Sequence, residues 1–501
     1  MAEKKPKKII LILTETQRTD YLNCYGNSSM KTPNIDKLAN EGMKFEKAYT
    51  TQPVCGPARS AIFTGQYPHS NGVYSNSMAP NELVKNIGQR LQKNNFKSAY
   101  IGKWHLDGGD YFGFGECPDG WDENYWYDMR CYLEELSIED RKRSRKPETV
   151  YDEDFTEEFT YAHRVTDRAI DCLENYEEDD LFMVVSYDEP HSPSLCPPEY
   201  IEMYENMDLS FMKNKNYEEE NPEHQKLWSE NSKQKEDKVI VDGVSLEQRL
   251  GCNTFVDYEI GRVINAIEKY APDAMIIYTA DHGECIREHE LRSKGAAMYD
   301  EITNIPLIIK YPEFISKNKI YSKPVSHINI APTIMEAADL KIPEVIEGEG
   351  LLNVLKGDDT RKNEEIFMEF HRYEIDHDGF GSFQPIRSVF DGRYKLVINL
   401  LTSDELYDLE NNPEETENLI DNNSIKVIRN NLHDKLLKWM NNTRDPYRGY
   451  YWERRPWRDD ARAASWDYTG MTRQRKPDTG EKKPLDYDTG LEVTEYNRNK
   501  N

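Results

Sequence analysis

The chain has 501 residues, 37% hydrophobic and 31% charged, with 64 Lys and Arg against 91 Asp and Glu and a formal net charge of −27. At about 150 residues per domain this length holds two or three domains, and its core is large enough to need no disulfide or metal staples. The acidic balance excludes nonspecific nucleic-acid binding, which needs a basic field to displace counterions, and argues against docking on anionic lipid; taken alone, it also suggests that anionic substrates are repelled.

In chain order, the basic start Met1 to Lys8 leads into apolar Ile9–Leu13. That run is too short for a signal-peptide core and passes into polar Thr14 to Asp20 without a small-residue cleavage site, so it reads as a first buried strand. Thr32-Pro33 reads as a helix cap followed by a first-turn proline, with Ile35, Leu38 and Ala39 at helical spacing. Leu83, Val84, Ile87 and Leu91 form a helical stripe ahead of a strand at Ser98–Ile101. Val165, Ala169, Ile170 and Leu173 mark a helix before the strand Leu181–Tyr187. Phe255, Ile260, Val263, Ile264 and Ile267 mark another before Ala274–Thr279. This alternation implies an α/β fold, a mostly parallel sheet covered by helices on both faces, with its site beyond the carboxyl ends of the strands. The polar residues that follow those strands are Glu15, His105, Asp188 to His191, and Asp281 to Glu284.

Segments 107–155 and 195–240 are too long to be plain connections and are expected to carry function. Beyond about residue 370 the pattern changes: Arg387–Val397 and Glu405–Leu409 read as strands and Ile425–Met440 as an amphipathic helix. The expected division is a catalytic α/β domain over 1–370 and a smaller α+β subdomain over 371–501. The tail from Arg444, with Trp452, Trp457 and Trp466, is either an extension wrapped over the surface or a contact between copies in a homo-oligomer. The eight cysteines contain no CxxC pair and read as free thiols, and no apolar run approaches the ~20 residues of a spanning helix. The expected location is cytoplasmic, with no membrane partner.

The sharpest local signal is Cys55-Gly56-Pro57-Ala58-Arg59, continuing to Thr64-Gly65. It resembles the modification signature of type I sulfatases, the formylglycine-dependent family of the alkaline-phosphatase-like superfamily. Further blocks resemble that family in the same order: Thr32-Pro33-Asn34-Ile35-Asp36, Gly102-Lys103-Trp104-His105, Pro190-His191-Ser192-Pro193, Thr279-Ala280-Asp281-His282-Gly283-Glu284, Lys294-Gly295 with Tyr299-Asp300-Glu301, Ala331-Pro332-Thr333 and Leu406-Tyr407-Asp408-Leu409. The resemblance runs from about residue 8 to 420. It implies an alkaline-phosphatase-like mixed, mostly parallel sheet sandwiched by helices, with the smaller C-terminal α+β subdomain.

The resemblance also implies roles. Cys55 is oxidised to formylglycine by a formylglycine-generating or anaerobic sulfatase-maturating enzyme. One hydroxyl of the hydrated aldehyde attacks sulfur; the second then loses its proton, expelling sulfate and restoring the aldehyde, an exit closed to serine or plain cysteine. Arg59 holds residue 55, and Lys103 and Lys294 bind sulfate oxygens. His105 is the candidate base and His191 the candidate acid, with the roles exchangeable. One divalent cation, Ca²⁺ first with Mg²⁺ or Mn²⁺ as alternatives, is held by Glu15, Thr16, Asp281 and His282. Here the sequence departs from the family, which carries two adjacent aspartates where Glu15 and Thr16 stand. Asp188 and Glu189 either contact substrate or turn the chain, the second being preferred, and His327, His371 and Arg387 could reach the substrate from the C-terminal part but are read as structural.

The leading expectation is hydrolysis of sulfate monoesters, of sulfated saccharides or aryl sulfates. The alternatives are a phosphonate monoester or phosphodiester hydrolase using the same aldehyde, and an inactive binding homologue if Cys55 stays unmodified. The net charge favours small or oligosaccharide substrates over long polyanions. An anion's attraction must then come from a local cluster acting within about a Debye length, ~8 Å.

Overall fold

The computed structural model describes residues 7–205, 221–232, 240–241, 243–314, 318–361, 364–374 and 383–460, with positions 485 and 489–491 further on. An eight-stranded sheet forms the centre. From one edge, its strands are Val325–Ser326, Met43–Tyr49, Asn304–Lys310, Met275–Ala280, Lys8–Thr14, Leu181–Ser186 and Lys97–Gly102, with Lys319–Tyr321 also pairing Met43–Tyr49. Asn304–Lys310 alone runs against the others. The central strands, KIILILT, LFMVVS and MIIYTA, are buried along their whole length. Such continuous β-branched and apolar runs are what a parallel strand covered on both faces requires.

Two apolar layers lie on the two faces. Ile10, Ile12, Met183, Val185 and Ile276 pack with the helices Pro33–Glu41, Tyr161–Asn175 and Leu246–Tyr270. Leu11, Leu13, Val184 and Ile277 pack with Cys55–Thr64, Ile87–Gln92 and Ile330–Ala337. The register aligns the strand ends that matter: Thr14 pairs with Ala280, Leu13 with Ser186, and Gly102 with Ser186. Residues 15, 103, 187 and 281 therefore leave the sheet at one edge.

A second sheet is antiparallel, in the order Ile366–Phe370, Ile386–Phe390, Tyr394–Asn399 and Glu405–Asp408, backed by the helix Lys426–Asn442. The run expected as one strand, Arg387–Val397, is instead a hairpin. Asp391 Oδ1 accepts the backbone N–H of Arg393 (3.0 Å) and Tyr394 (2.8 Å), closing a turn at Gly392, whose φ of 101° suits glycine. The stripe from Leu83 also shortens: the helix is Ile87–Gln92, started by a capping box between Asn86 and Gln89, and Leu83 is 86% exposed. The described tail lies on its own chain. Trp452 is buried, Arg455 makes two bonds to Asp404 (2.7 and 2.9 Å), and Trp457 Nε1 donates to the same carboxylate (2.8 Å). Trp466 lies outside the described residues.

Candidate active site

Cys55 opens the helix Cys55–Thr64, of which every residue is buried, so residue 55 stands at an N-terminus aimed along the sheet edge. The helix is fixed from the side by an aromatic cluster, Phe63 against Tyr100, Trp104 and Trp121. Trp104 belongs to the Gly-Lys-Trp-His element, so one cluster positions residue 55 and Lys103 together. Gly102 (φ 120°) makes that element possible: a Cβ there would lie 1.9 Å from the Ser186 carbonyl oxygen. Gly283 is needed for a similar reason, because its Cβ would lie 2.1 Å from the Glu301 carbonyl oxygen.

Arg59, on the first turns of the helix, is wholly buried and ties the strand ends together. Its Nη2 donates to Glu15 Oε2 (2.9 Å), and its Nη1 to the Lys103 carbonyl (2.7 Å) and Ser186 Oγ (2.8 Å); Nε lies 3.2 Å from Asp281 Oδ2. Lys103 Nζ stands 3.0 Å from Glu15 Oε1 and 3.1 Å from Asp188 Oδ1. Asp188 thus has a partner in the site, and the expectation that it only turns the chain is corrected. His282 Nε2 faces Cys55 Sγ at 3.3 Å, with its Nδ1 donating to the Gly283 carbonyl at 2.8 Å. Thr16 donates its backbone N–H to Asp281 Oδ1 (3.1 Å) and has φ of 56°, a strained value for a β-branched residue. Lys294 Nζ donates to His191 Nε2 (3.2 Å), and Tyr111 contacts His191 Nδ1, Asp188 and the edge of His105. Neither ring nitrogen of His105 has a hydrogen-bond partner among the described residues. All ten expected site residues therefore lie in one contact network.

The electrostatics follow from burial and mixed charge. Burial alone would raise the Glu15 carboxyl, but Lys103 and Arg59 hold it well below the usual carboxylate range. Burial, with Glu15 next to it, pushes Asp281 up. Burial would discharge Lys103, but Glu15, the Tyr111 phenol and Asp188 keep it protonated. Burial and then Lys103 lower His105 to about 3, and burial and then Lys294 hold His191 well below its ordinary value. Both imidazoles are neutral near pH 7. Burial, reinforced by Glu15, raises the Cys55 thiol, which disfavours the thiolate form of the unmodified residue.

Glu15, Cys55, Asp281 and His282 each offer a donor atom within 4.8 Å of the others, all buried. Glu15 Oε1 and Asp281 Oδ2 are met by the charges of Lys103 and Arg59 without a well-aligned hydrogen bond, and Thr16 Oγ1 is buried with no hydrogen-bond partner among the described residues. Two carboxylates forced together, one of them pushed toward its neutral form, are what a bound cation would neutralise, so the residues present fit a hard divalent ion.

The remaining candidates serve the scaffold. His327 Nε2 donates to the Ala280 carbonyl (2.8 Å), behind the second acidic segment. His371 contacts Glu369 (3.3 Å), and Arg387 makes two bonds to Asp445. Tyr111 and Asn76, whose Oδ1 accepts the Gly56 N–H (2.9 Å), belong to no recognised motif; only the unusual length of segment 107–155 pointed toward Tyr111.

The chain matches the family described as Sulfatase over residues 7–340 and the N-sulphoglucosamine sulphohydrolase C-terminal family over 288–442. It is 43% identical over 497 residues to the uncharacterized sulfatase YidJ of Escherichia coli K12, covering 97% of each chain. It is 25% identical to an N-acetylglucosamine-6-O-sulfatase of Bacteroides thetaiotaomicron, covering 83% of each. Among solved structures, one in complex with its substrate D-glucosamine-2-N,6-O-disulfate superposes with a TM-score of 0.71 at 22% identity, over 89% of this chain and 99% of that one. The phosphonate monoester hydrolase of Agrobacterium radiobacter superposes with a TM-score of 0.70 at 19% identity, over 88% and 96%.

Proposed function

The chain belongs to the sulfatase family and is a sulfuric ester hydrolase, and from that premise we propose that it cleaves sulfate monoesters of small or oligomeric saccharides with residue 55 as formylglycine. The observation that carries this reading is the position of Cys55 at the start of a buried helix, with its Sγ 3.3 Å from His282, among carboxylates, two lysines and two neutral imidazoles. Burial raises the Cys55 thiol and so disfavours the thiolate as nucleophile, which is consistent with conversion of the residue by a maturating enzyme. The hydrated aldehyde supplies one hydroxyl to attack sulfur and a second whose deprotonation releases sulfate. A divalent cation, Ca²⁺ first with Mg²⁺ or Mn²⁺ as alternatives, would be held by Glu15, Asp281, His282 and Thr16 and would withdraw charge from the sulfate oxygens.

The chain's own groups do the rest. Arg59 fixes the Glu15 and Asp281 carboxylates against the residue-55 helix. Lys103 and Lys294 present ammonium groups to the sulfate oxygens. His105, neutral and with no partner at either nitrogen among the described residues, accepts the proton of the residue-55 hydroxyl. His191, paired with Lys294, faces the leaving oxygen. The saccharide choice takes support from the relatives named for glucosamine sulfates.

The second reading, a phosphonate monoester or phosphodiester hydrolase, is favoured by the neutral Thr16 in the second acidic position and by the likeness of fold to a phosphonate monoester hydrolase. Kinetics on matched aryl sulfate, phosphonate and phosphodiester substrates test both, with Cys55→Ala as control and peptide mass spectrometry reporting the aldehyde. The sulfate is expected to turn over fastest; a faster phosphonate sinks the first reading. A chain that stays thiol after co-expression with the maturating enzyme would be the inactive homologue.

A further inference from the structure

Tyr111 sits in a turn that the protein holds tightly. Asp107 closes the loop by accepting the N–H groups of Gly109 (2.9 Å) and Phe114 (2.7 Å), and the Arg145 guanidinium lies over the rings of Phe112 and Tyr111 at 5.1 and 5.9 Å. The phenol ring in turn lies 4.0 Å from Lys103 Nζ. Its hydroxyl touches both Asp188 Oδ1 and, at 3.2 Å, His191 Nδ1. Tyr111 and His191 are also partly exposed, whereas Glu15, Cys55, Lys103, Asp281, His282 and Lys294 are buried. The sulfate end of a substrate is thus deep, and its alcohol portion leaves past His191 and Tyr111.

The protons at this corner can be counted. A phenol has one hydrogen to donate, and Asp188, an ion-pair partner of Lys103, is the acceptor that takes it. The phenol oxygen must then accept from His191 Nδ1, so the imidazole hydrogen lies on Nδ1. The Ser192 carbonyl, 3.0 Å from the same nitrogen, agrees with this tautomer. Nε2 is left with its lone pair toward Lys294 Nζ, which donates at 3.2 Å. The charged groups around this imidazole are Lys294 on one side, Lys103 and Glu15 beyond, and Asp188 behind the phenol.

We propose that Tyr111 is a positioning residue for the hydrolysis: backed by Asp188, it receives the Nδ1–H of His191, sets the ring plane, and makes the Lys294–His191 hydrogen bond the source of the proton taken by the leaving oxygen. As the S–O bond breaks, its electron pair goes to the alcohol oxygen and the proton shared between Nζ and Nε2 moves onto that oxygen. Tyr111 keeps its own proton, held by Asp188, and the lysine–histidine pair regains a proton from water. The Ser192 carbonyl can hold the tautomer but brings no negative charge; Tyr111 links the imidazole to a carboxylate, which stabilises any positive charge gathered at the ring.

The proposal rests on the reading that His191 faces the leaving oxygen, and its test separates the two. Matured, cation-loaded enzyme is assayed for kcat/KM on aryl sulfates ranging from nitrophenyl, which needs no acid, to phenyl, which does. Tyr111→Phe keeps the ring over Lys103 and is expected to lose roughly 10- to 100-fold on phenyl sulfate but under about threefold on nitrophenyl sulfate. His191→Ala should show the same slope, more steeply. A fluorotyrosine at position 111, which alters the hydroxyl's acidity with little change of shape, should shift the slope while leaving the nitrophenyl rate in place. If His191→Ala is steep while Tyr111→Phe and the fluorotyrosine are flat across the series, the role given to Tyr111 is overturned. If His191→Ala itself is flat, the assignment of His191 to the leaving group fails, and the proposal with it.

Discussion

Replacing Lys103 by methionine keeps the stem and removes an ammonium that stands 3.0 Å from Glu15 and 3.1 Å from Asp188, with both lysine and carboxylates buried. At an effective dielectric of about 20, each contact is worth roughly 5 kcal/mol of Coulomb energy. Part of that is offset because the ammonium no longer has to be stripped of water, and breaking a buried pair from one side costs about 3–5 kcal/mol net. Lys103 and Arg59 depress Glu15 against its burial, so the stability that Glu15 contributes is present above the unfolded carboxyl pKa of about 4.3 and is lost as pH falls through the lower folded value. The Lys103→Met deficit should therefore be full at pH 7 and shrink below about pH 4. Urea midpoints at the two pH values, measured in chelator, read this directly, and added Ca²⁺ should narrow the pH 7 gap because a dication takes over the neutralisation. An unchanged midpoint at pH 7 in chelator, or an equal deficit at both pH values, would refute the electrostatic reasoning.

Three further outcomes follow from the same geometry. Thr16→Asp puts a residue that tolerates φ of 56° and adds a carboxylate beside Glu15 and Asp281, so calorimetry should show Ca²⁺ binding at least about tenfold tighter; weaker binding would remove position 16 from the ligand set. The buried imidazoles His105, His191, His327 and His371 all have folded pKa values below the ordinary one, so unfolding takes up protons and stability should fall as pH drops below about 6.5, visible as a declining melting temperature between pH 7 and 5; a flat profile would contradict their neutrality. Asp445→Asn removes the nearer carboxylate of the buried Arg387, leaving only Glu369 at 3.9 Å, and limited proteolysis should then release the segment after residue 440 faster than in the parent; equal rates would mean that the ion pair does not hold the tail.

The sheet was legible where strands are buried on both faces, because Ile9–Leu13 or Leu181–Tyr187 can be little else. The strand Met43–Tyr49 was not, because its charged residues interrupt the apolar pattern and its partner, Asn304–Lys310, lies some 260 positions away. The helix Cys55–Thr64 carries no amphipathic stripe, since it is buried all round, and only its motif marked it. The ten candidate residues that the structure brings together came from local blocks. Tyr111, Asp188 and Asn76 act through partners distant in sequence, and no spacing rule links Tyr111 to His191.

The central claim is most directly tested by the ratio of kcat/KM for an aryl sulfate to that for the matching phosphonate monoester, on cation-loaded protein whose residue 55 is the aldehyde by mass spectrometry. A ratio well above one, abolished by Cys55→Ala, is the predicted result. A ratio below one, or turnover that survives Cys55→Ala, would contradict it.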